Sequence, residues 1–406
     1  MTNPLLQDDG LPDFQAIQPG HVAPAIDALL KSADEALERA VGPGVPAEYD
    51  AMSAVLDVAG ERLKFAWGAV GHLNAVADTP ELRAAYNEAL PRVIELSTRH
   101  ASDERMYAKY KAISTAPSAH GLTPPRRKVL SNAMRDFVLS GAELRGEAKQ
   151  RFMQLQEAQA ELSQRFSEHV MDATDQFAYF ASQAEMVGVP ADAQQAARQA
   201  AQAEGKDGYK LTLHFPSYFP VLQYGEDRAL RERIYTAYAT RATELGDASL
   251  DNSSLMQELM QLRHEEARLL GYANYAEVSL VPKMADSPAQ VMDFLRDLGR
   301  RARPYAERDL AELKAFARDE LSLADLQAWD MVFASEKLKE ARYAFSDQEV
   351  KQYFTEAKVL EGLFRIIETL FEVSIRPDTA PVWHPSVRFF QIERADALVG
   401  QFYLDP

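Results

Sequence analysis

Cysteine is absent from the 406 residues, so disulfides, thiolate nucleophiles and cysteine-based zinc sites are excluded. Histidine is sparse. His21, His72, His100, His120, His169, His214, His264 and His384 are the whole set, and no two lie within five residues of each other. A zinc-peptidase helix needs two histidines at i and i+4, so that both imidazoles reach one ion from one helix face. No such local motif exists here. Gly-rich phosphate loops of either common spacing and a Gly-x-Ser-x-Gly nucleophile elbow are also missing. No run of about 18 apolar residues is present to span a bilayer. The first ten residues lack a basic region and an apolar run, so they do not read as a signal peptide. Basic residues are outnumbered, 44 Lys and Arg against 61 Asp and Glu, for a net charge of −17. That field repels phosphate and argues against nucleic acid or an anionic membrane as partner, while leaving room for a local basic cleft. A cytoplasmic protein is the simplest expectation.

What is present is mostly helical periodicity. After a Pro- and Gly-punctuated lead-in over residues 1–20, Val22, Ile26, Leu29, Leu30, Ala33, Leu37 and Ala40 form one apolar stripe, broken at Gly42-Pro43-Gly44. A second helix is predicted over about 48–77, and Thr79-Pro80-Glu81 reads as an N-cap, a first-turn proline and a first-turn acid. Helices follow to about 112 and over 126–140. Between Ala148 and Asp175 the apolar face Phe152, Leu155, Ala158, Leu162, Phe166 and Val170 is the best-formed of all. Packing inside its own domain is the favoured reading of that face over an exposed partner-binding helix. Another helix is predicted over 185–203. The period then changes: Tyr209, Leu211, Leu213 and Phe215 alternate with polar residues as in a half-buried strand, and 218–224 is expected to pair back onto it. Ser254 and Gln257 suggest a capping box. Helices are predicted over 288–301, 304–321, 326–339, 347–354 and 360–371. Two aromatic, β-prone runs around Ala395-Asp396-Ala397 then read as a hairpin, which needs further strands or a helix to pack on. The expected fold class is mainly α, with small antiparallel β elements near 209–224 and 387–404. No fixed-period repeat is found.

Few residues suggest chemistry. His264-Glu265-Glu266-Ala267-Arg268 resembles the start of a zinc-peptidase helix, but Arg268 stands where the second histidine belongs. His264 also lies opposite the Leu255, Leu259 and Leu262 stripe, so it reads as a surface histidine. Trp67, Trp329, Trp383, Tyr218 and Phe219 could line a cleft, though rings of this size more often sit in a core or interface. Asn252-Ser253-Ser254 fits a glycosylation sequon and reads as chance.

Several stretches taken together carry a resemblance. Trp67-Gly68-Ala69-Val70-Gly71-His72-Leu73-Asn74-Ala75-Val76, Arg126-Arg127-Lys128-Val129-Leu130 and Arg135-Asp136-Phe137 through Ser140-Gly141-Ala142 belong to it. So do Phe215-Pro216-Ser217-Tyr218, Arg228-x-x-Arg231-Glu232, Ala267-Arg268-Leu269-Leu270-Gly271-Tyr272 and Lys283-Met284-Ala285. Trp329-Asp330, Ser335-Glu336-Lys337, Tyr353-Phe354, Trp383-His384-Pro385, Arg388-Phe389-Phe390 and Gly400-x-Phe402-Tyr403-Leu404-Asp405 complete it. The chain resembles the thimet oligopeptidase/oligopeptidase A group of zinc metallopeptidases. The resemblance implies a long helical lobe of a two-lobed, channel-type peptidase, short peptides as substrates, and cytoplasmic hydrolysis by water activated on one zinc ion. The family's His-Glu-x-x-His helix and its later glutamate ligand would lie C-terminal to the Phe402-to-Asp405 stretch. No catalytic, cofactor-binding or metal-ligating residue is therefore carried over, and no catalytic zinc is expected in these residues. The domain expectation is an N-terminal helical region over 1–150, a continuing helical body with a short hairpin over 151–380, and the start of a truncated catalytic lobe over 381–406. The partner implied is the missing C-terminal catalytic lobe, and helices that would meet it are expected to expose apolar surface. The sheet edge at Phe402 and Tyr403 is expected to be exposed. A non-catalytic helical peptide-binding or scaffold protein is the alternative.

Overall fold

The structure is a computed structural model and describes residues 3–7, 10–345 and 347–405. Met1, Thr2, Asp8, Asp9, Ser346 and Pro406, all inside stretches read above, lie outside the described residues. Among the described residues there are fifteen α-helices and five short strands, so the mainly-α expectation holds. β1 (Tyr179–Ala181) and β2 (Tyr209–Leu211) pair antiparallel, with Tyr179 opposite Leu211. β3 (Ser374–Asp378), β4 (Arg388–Arg394) and β5 (Ala397–Leu404) form an antiparallel sheet with β4 in the middle. Two compact units result. One is residues 1–161, 261–284 and 362–406; the other is 162–260 and 285–361.

The first unit is built on the helix Pro19–Val41. Proline at its first position needs no amide donor, and His21 Nδ1 accepts from the Gln18 amide at 3.0 Å. Val22, Ile26, Leu29, Ala33, Leu37 and Ala40 are all buried, so the stripe read from the sequence is the core face. It packs with Ala66, Val70 and Leu73 of the helix Tyr49–Val76 and with Leu82, Ala89 and Val93 of the helix Pro80–Ala101. Burying each of the larger side chains contributes about 1.5–3 kcal/mol. Thr79 Oγ1 accepts from the Leu82 amide at 3.1 Å, the cap its sequence position predicts. Lys109 Nζ donates to the carbonyls of Ala40 (2.6 Å) and Gly42 (2.8 Å), satisfying backbone acceptors where the first helix ends.

The terminal hairpin has the support that its size demands. β3 adds a third strand, with Pro377 on the sheet edge, where a missing amide costs least. Phe364, on the helix Glu356–Phe371, packs edge-on to Phe390 and Phe402 at 5.0 and 6.1 Å. Phe402 and Tyr403 are half-buried, which corrects their expected exposure; Leu398 and Val399 are the large apolar residues of β5 left open. Ala395 and Asp396 both have positive φ, 46° and 63°, as a two-residue type I′ turn requires.

The second unit departs from the sequence reading in several places. The strand ends at Leu211, and 218–224 does not pair back: Phe215–Tyr224 is a helix with proline in its first turn. Phe215 is 61% exposed, whereas Tyr218, Val221 and Leu222 are buried at helical spacing. Aromatic content mimicked a strand there. The partner of β2 is β1, whose three residues are too few to show alternation. The helix expected from 185 begins at Ala191, because Gly188 takes φ 83° and Pro190 follows as its N-cap. The helix with the expected capping box runs Ser253–Leu269, so Ser254 lies inside it rather than capping it. Residues 288–320 form one helix, Pro288–Glu320, with Pro304 inside it. The helix expected over 347–354 is the short Asp347–Lys351.

Alanine at a left-handed position carries a cost of about 1–2 kcal/mol that asparagine and glycine largely avoid. The double substitution Ala395→Asn, Asp396→Gly is expected to stabilise the first unit by about 1 kcal/mol, read as a higher denaturant midpoint at unchanged m-value. An unchanged or lower midpoint would contradict the turn geometry.

Candidate functional site

The segment that suggested a metal helix is engaged otherwise. Both carboxylate oxygens of Glu265 accept from Arg151, each at 2.7 Å, and this pairing holds the Glu265 carboxyl below its usual range. Glu266 is buried and accepts from Gln159 Nε2 at 2.8 Å. His264 and Arg268 are exposed, so His264 is the surface histidine its helical position suggested. A cation at 268 and two committed carboxylates do not fit a zinc site. Elsewhere His169 Nδ1 bonds Asn252 Oδ1 (2.9 Å), His214 faces Asp175 (3.0 Å), and His384 bonds Ser386 (2.8 Å). The side chain of His120 lies outside the described residues. Among the described residues no group of three or more His, Asp or Glu could hold a metal ion. Asn252 is 1% exposed and also donates to the Phe166 carbonyl, so the sequon is closed to modification in the folded chain.

Several of the stretches that carry the resemblance meet instead in two constellations, one in each unit. In the first unit His72, from the helix Tyr49–Val76, stands edge-on to Trp383, with ring centroids 4.1 Å apart. Phe14 closes on both rings, and Tyr403 lies 5.3 Å from Trp383. The indole N–H of Trp383 donates to Asp405 Oδ2 at 3.0 Å. His72 Nε2 and the Tyr403 hydroxyl are buried without a hydrogen-bond partner among the described residues. Burial lowers the His72 pKa, and the nearby Asp405 carboxylate offsets this only in part. Burial also raises the Tyr403 phenol. Trp67 is stacked on Tyr86 at 4.5 Å. The aromatic residues read as core or interface are therefore packed rings here.

In the second unit the carboxylate of Asp330, fully buried, is held by two arginines. Arg231 Nη2 reaches Oδ1 at 2.8 Å, and Arg228 Nη2 reaches Oδ2 at 2.7 Å. The Gln327 amide donates to Oδ2 at 3.1 Å. Arg231 is 1% exposed; it also donates to the Gly225 carbonyl at 2.7 Å and lies 4.2 Å from the Phe333 ring centre. Burial pushes the Asp330 carboxyl up, but these hydrogen bonds outweigh it and leave the pKa below the ordinary value. Close by in sequence, Glu336, also buried, accepts from Gln223 at 2.9 Å and pairs with Lys339 at 2.7 Å. This constellation was invisible to local motif reading, because about a hundred residues separate the arginines from Asp330. The only signal was the recurrence of Arg228, Arg231, Trp329 and Asp330 in the resemblance.

Comparison with known proteins gives the same picture. The family model described as Peptidase family M3 matches residues 221–406, and that of the Neurolysin/Thimet oligopeptidase N-terminal domain matches 26–149. Oligopeptidase A of Salmonella typhimurium and that of Escherichia coli are each 41% identical over the whole chain, which covers 60% of either relative. A probable cytosolic oligopeptidase A of Arabidopsis thaliana is 36% identical, again over the whole chain and 59% of the relative. The chain thus spans about 60% of the length of the curated relatives it matches.

Removing Asp330 would leave Arg231 charged and buried without its counter-ion. Asp330→Asn is expected to cost about 3–5 kcal/mol of stability, measured by denaturant unfolding at neutral pH. Acid should weaken the fold in two stages. Because folding depresses the pKa of His72, and of His100 by burial, their contribution is complete above about pH 6.5 and is lost as pH falls through lower values. The Asp330 contribution, also from a depressed pKa, persists until pH falls below about 4. His72→Phe should flatten part of the first stage and leave the second intact. A pH-stability curve unchanged by His72→Phe would contradict this account.

Proposed function

Because the chain belongs to peptidase family M3, we propose that these 406 residues are the helical body of a two-lobed zinc oligopeptidase that works on short peptides in the cytoplasm. The one zinc ion, its ligands and the catalytic base belong in this reading to a C-terminal catalytic lobe outside these residues. The domain plan proposed is an N-terminal helical region over 1–150, a continuing helical body over 151–380 and the lead-in to that lobe over 381–406. No helix of the described residues is long and apolar enough to cross a membrane.

The observation that carries the proposal is a pair of amphipathic helices whose apolar faces are open. On Glu356–Phe371, Val359, Leu363, Ile366 and Leu370 fall at helical spacing with 46–69% exposure, and no described residue of the helix is buried. On Pro288–Glu320, Phe294, Leu295, Leu298 and Tyr305 are more than half exposed, and only Leu313 and Ala317 are buried. A stripe of this kind forms where a surface covers it. A further protein lobe of the length by which the relatives exceed this chain supplies such a surface.

Two outcomes are expected of the isolated 406-residue chain. It should not hydrolyse a quenched-fluorescent peptide, with or without added zinc; chelator-sensitive cleavage together with stoichiometric bound zinc would refute the assignment of the chemistry to another lobe. It should also self-associate and bind an apolar-surface dye. Sedimentation as a monodisperse monomer without dye binding would count against the open faces.

A further inference from the structure

We propose that the second unit carries a binding site for a small oxyanion, phosphate or carboxylate, in the cavity between the helix Ala191–Ala203 and the β1–β2 ribbon. The cavity measures about 410 Å³, within the range of about 300–1,000 Å³ of small-molecule sites and far above one water's share of about 30 Å³. Its lining includes Arg198, Lys206, Gln183, Gln202, Asp207 and Tyr209.

Arg198 and Lys206 are held by their neighbours. Tyr209 is 3% exposed, and its ring and hydroxyl form a fixed wall. The Arg198 guanidinium lies 5.0 Å from the ring centre and donates to the phenolic oxygen. That hydrogen bond uses a Tyr209 lone pair, so the phenolic proton remains free to be donated. Among the described residues no carboxylate pairs with Arg198. Lys206 Nζ sits 4.1 Å from the Phe180 ring centre and is 3.4 Å from Glu204, whose other oxygen is taken by Lys210. Gln202 follows Arg198 by one helical turn, which sets its amide on the same side. The turn that brings Lys206 and Asp207 round is fixed at Gly208, which takes φ 91° and where a Cβ would lie 2.6 Å from the Ala181 carbonyl oxygen.

A guanidinium fork, an ammonium and side-chain amides facing one space are the donor set for an oxyanion, which accepts from all of them at once. Asp207 is the only carboxylate in the lining and opposes high negative charge. Together with the overall charge of −17, it selects a small anion over a polyanion such as nucleic acid. The lining belongs to the second unit alone.

The test is calorimetric titration of the 406-residue chain with sodium phosphate and, separately, sodium acetate, at ionic strength held constant with chloride. Saturable binding in the millimolar range is expected for at least one of them, and the anion of higher affinity assigns the ligand class. Arg198→Gln and Lys206→Gln should each weaken it about tenfold or more, and Arg198→Lys should restore only part, since an ammonium lacks the fork. Arg198 and Lys206 are exposed, so the variants are expected to keep the parent circular dichroism. Heats that do not saturate, or equal affinities in parent and both glutamine variants, would overturn the site.

Discussion

An apolar stripe on a helix must be covered, and most of this molecule follows from where that demand is met. Val22, Ile26, Leu29 and Leu37 meet it inside the first unit, against Tyr49–Val76 and its neighbours. There the helix, its N-terminal proline, its capping contacts and its buried face all agree, which is the consistency that specifies a single structure. On Glu356–Phe371 the same kind of pattern has formed without a cover. A short isolated helix is marginal in water, and tertiary packing supplies most helical stability. The open face is therefore a demand on a partner surface more than a finished feature of the surface it occupies.

Some of the residues that carry the family resemblance are held by packing and charge. Arg228, Arg231 and Asp330 lock two distant segments of the second unit through a buried ion cluster. His72, Trp383, Tyr403 and Asp405 join a long helix to the terminal sheet through ring contacts and one indole hydrogen bond. Among the described residues neither group offers three side chains that could ligate a metal ion. They hold distant segments of each unit together. A buried charge pair is costly to break, because removing one partner strands the other.

How much of this the sequence disclosed depends on the range of the interaction responsible. Local periodicity placed the helix at Pro19–Val41 and the cap at Thr79, because those signals lie within a few residues. It failed at 218–224, where three aromatics suggested a strand although Pro216 and the burial of Tyr218, Val221 and Leu222 follow a helix. It missed β1, whose pairing is decided by β2 about thirty residues away. In the sequence, Arg268 and the place of His264 opposite the leucine stripe spoke against a zinc-like helix over 264–268. The positive reasons, Arg151 on Glu265 and Gln159 on Glu266, needed the fold. The oxyanion cavity is similar: Arg198 and Lys206 are ordinary surface cations in the sequence, and only Tyr209 and Gly208 bring them to one space.

The central claim is that the faces of Pro288–Glu320 and Glu356–Phe371 lack a cover in this chain. Amide hydrogen exchange of the 406-residue protein tests it most directly, because protection reports local stability. The account expects amides over 290–310 and 359–371 to exchange much faster than those over 22–40, whose helix is buried along one face. Equal protection of the three stretches in the monomeric chain would show that these helices are already held by their own packing and would contradict it.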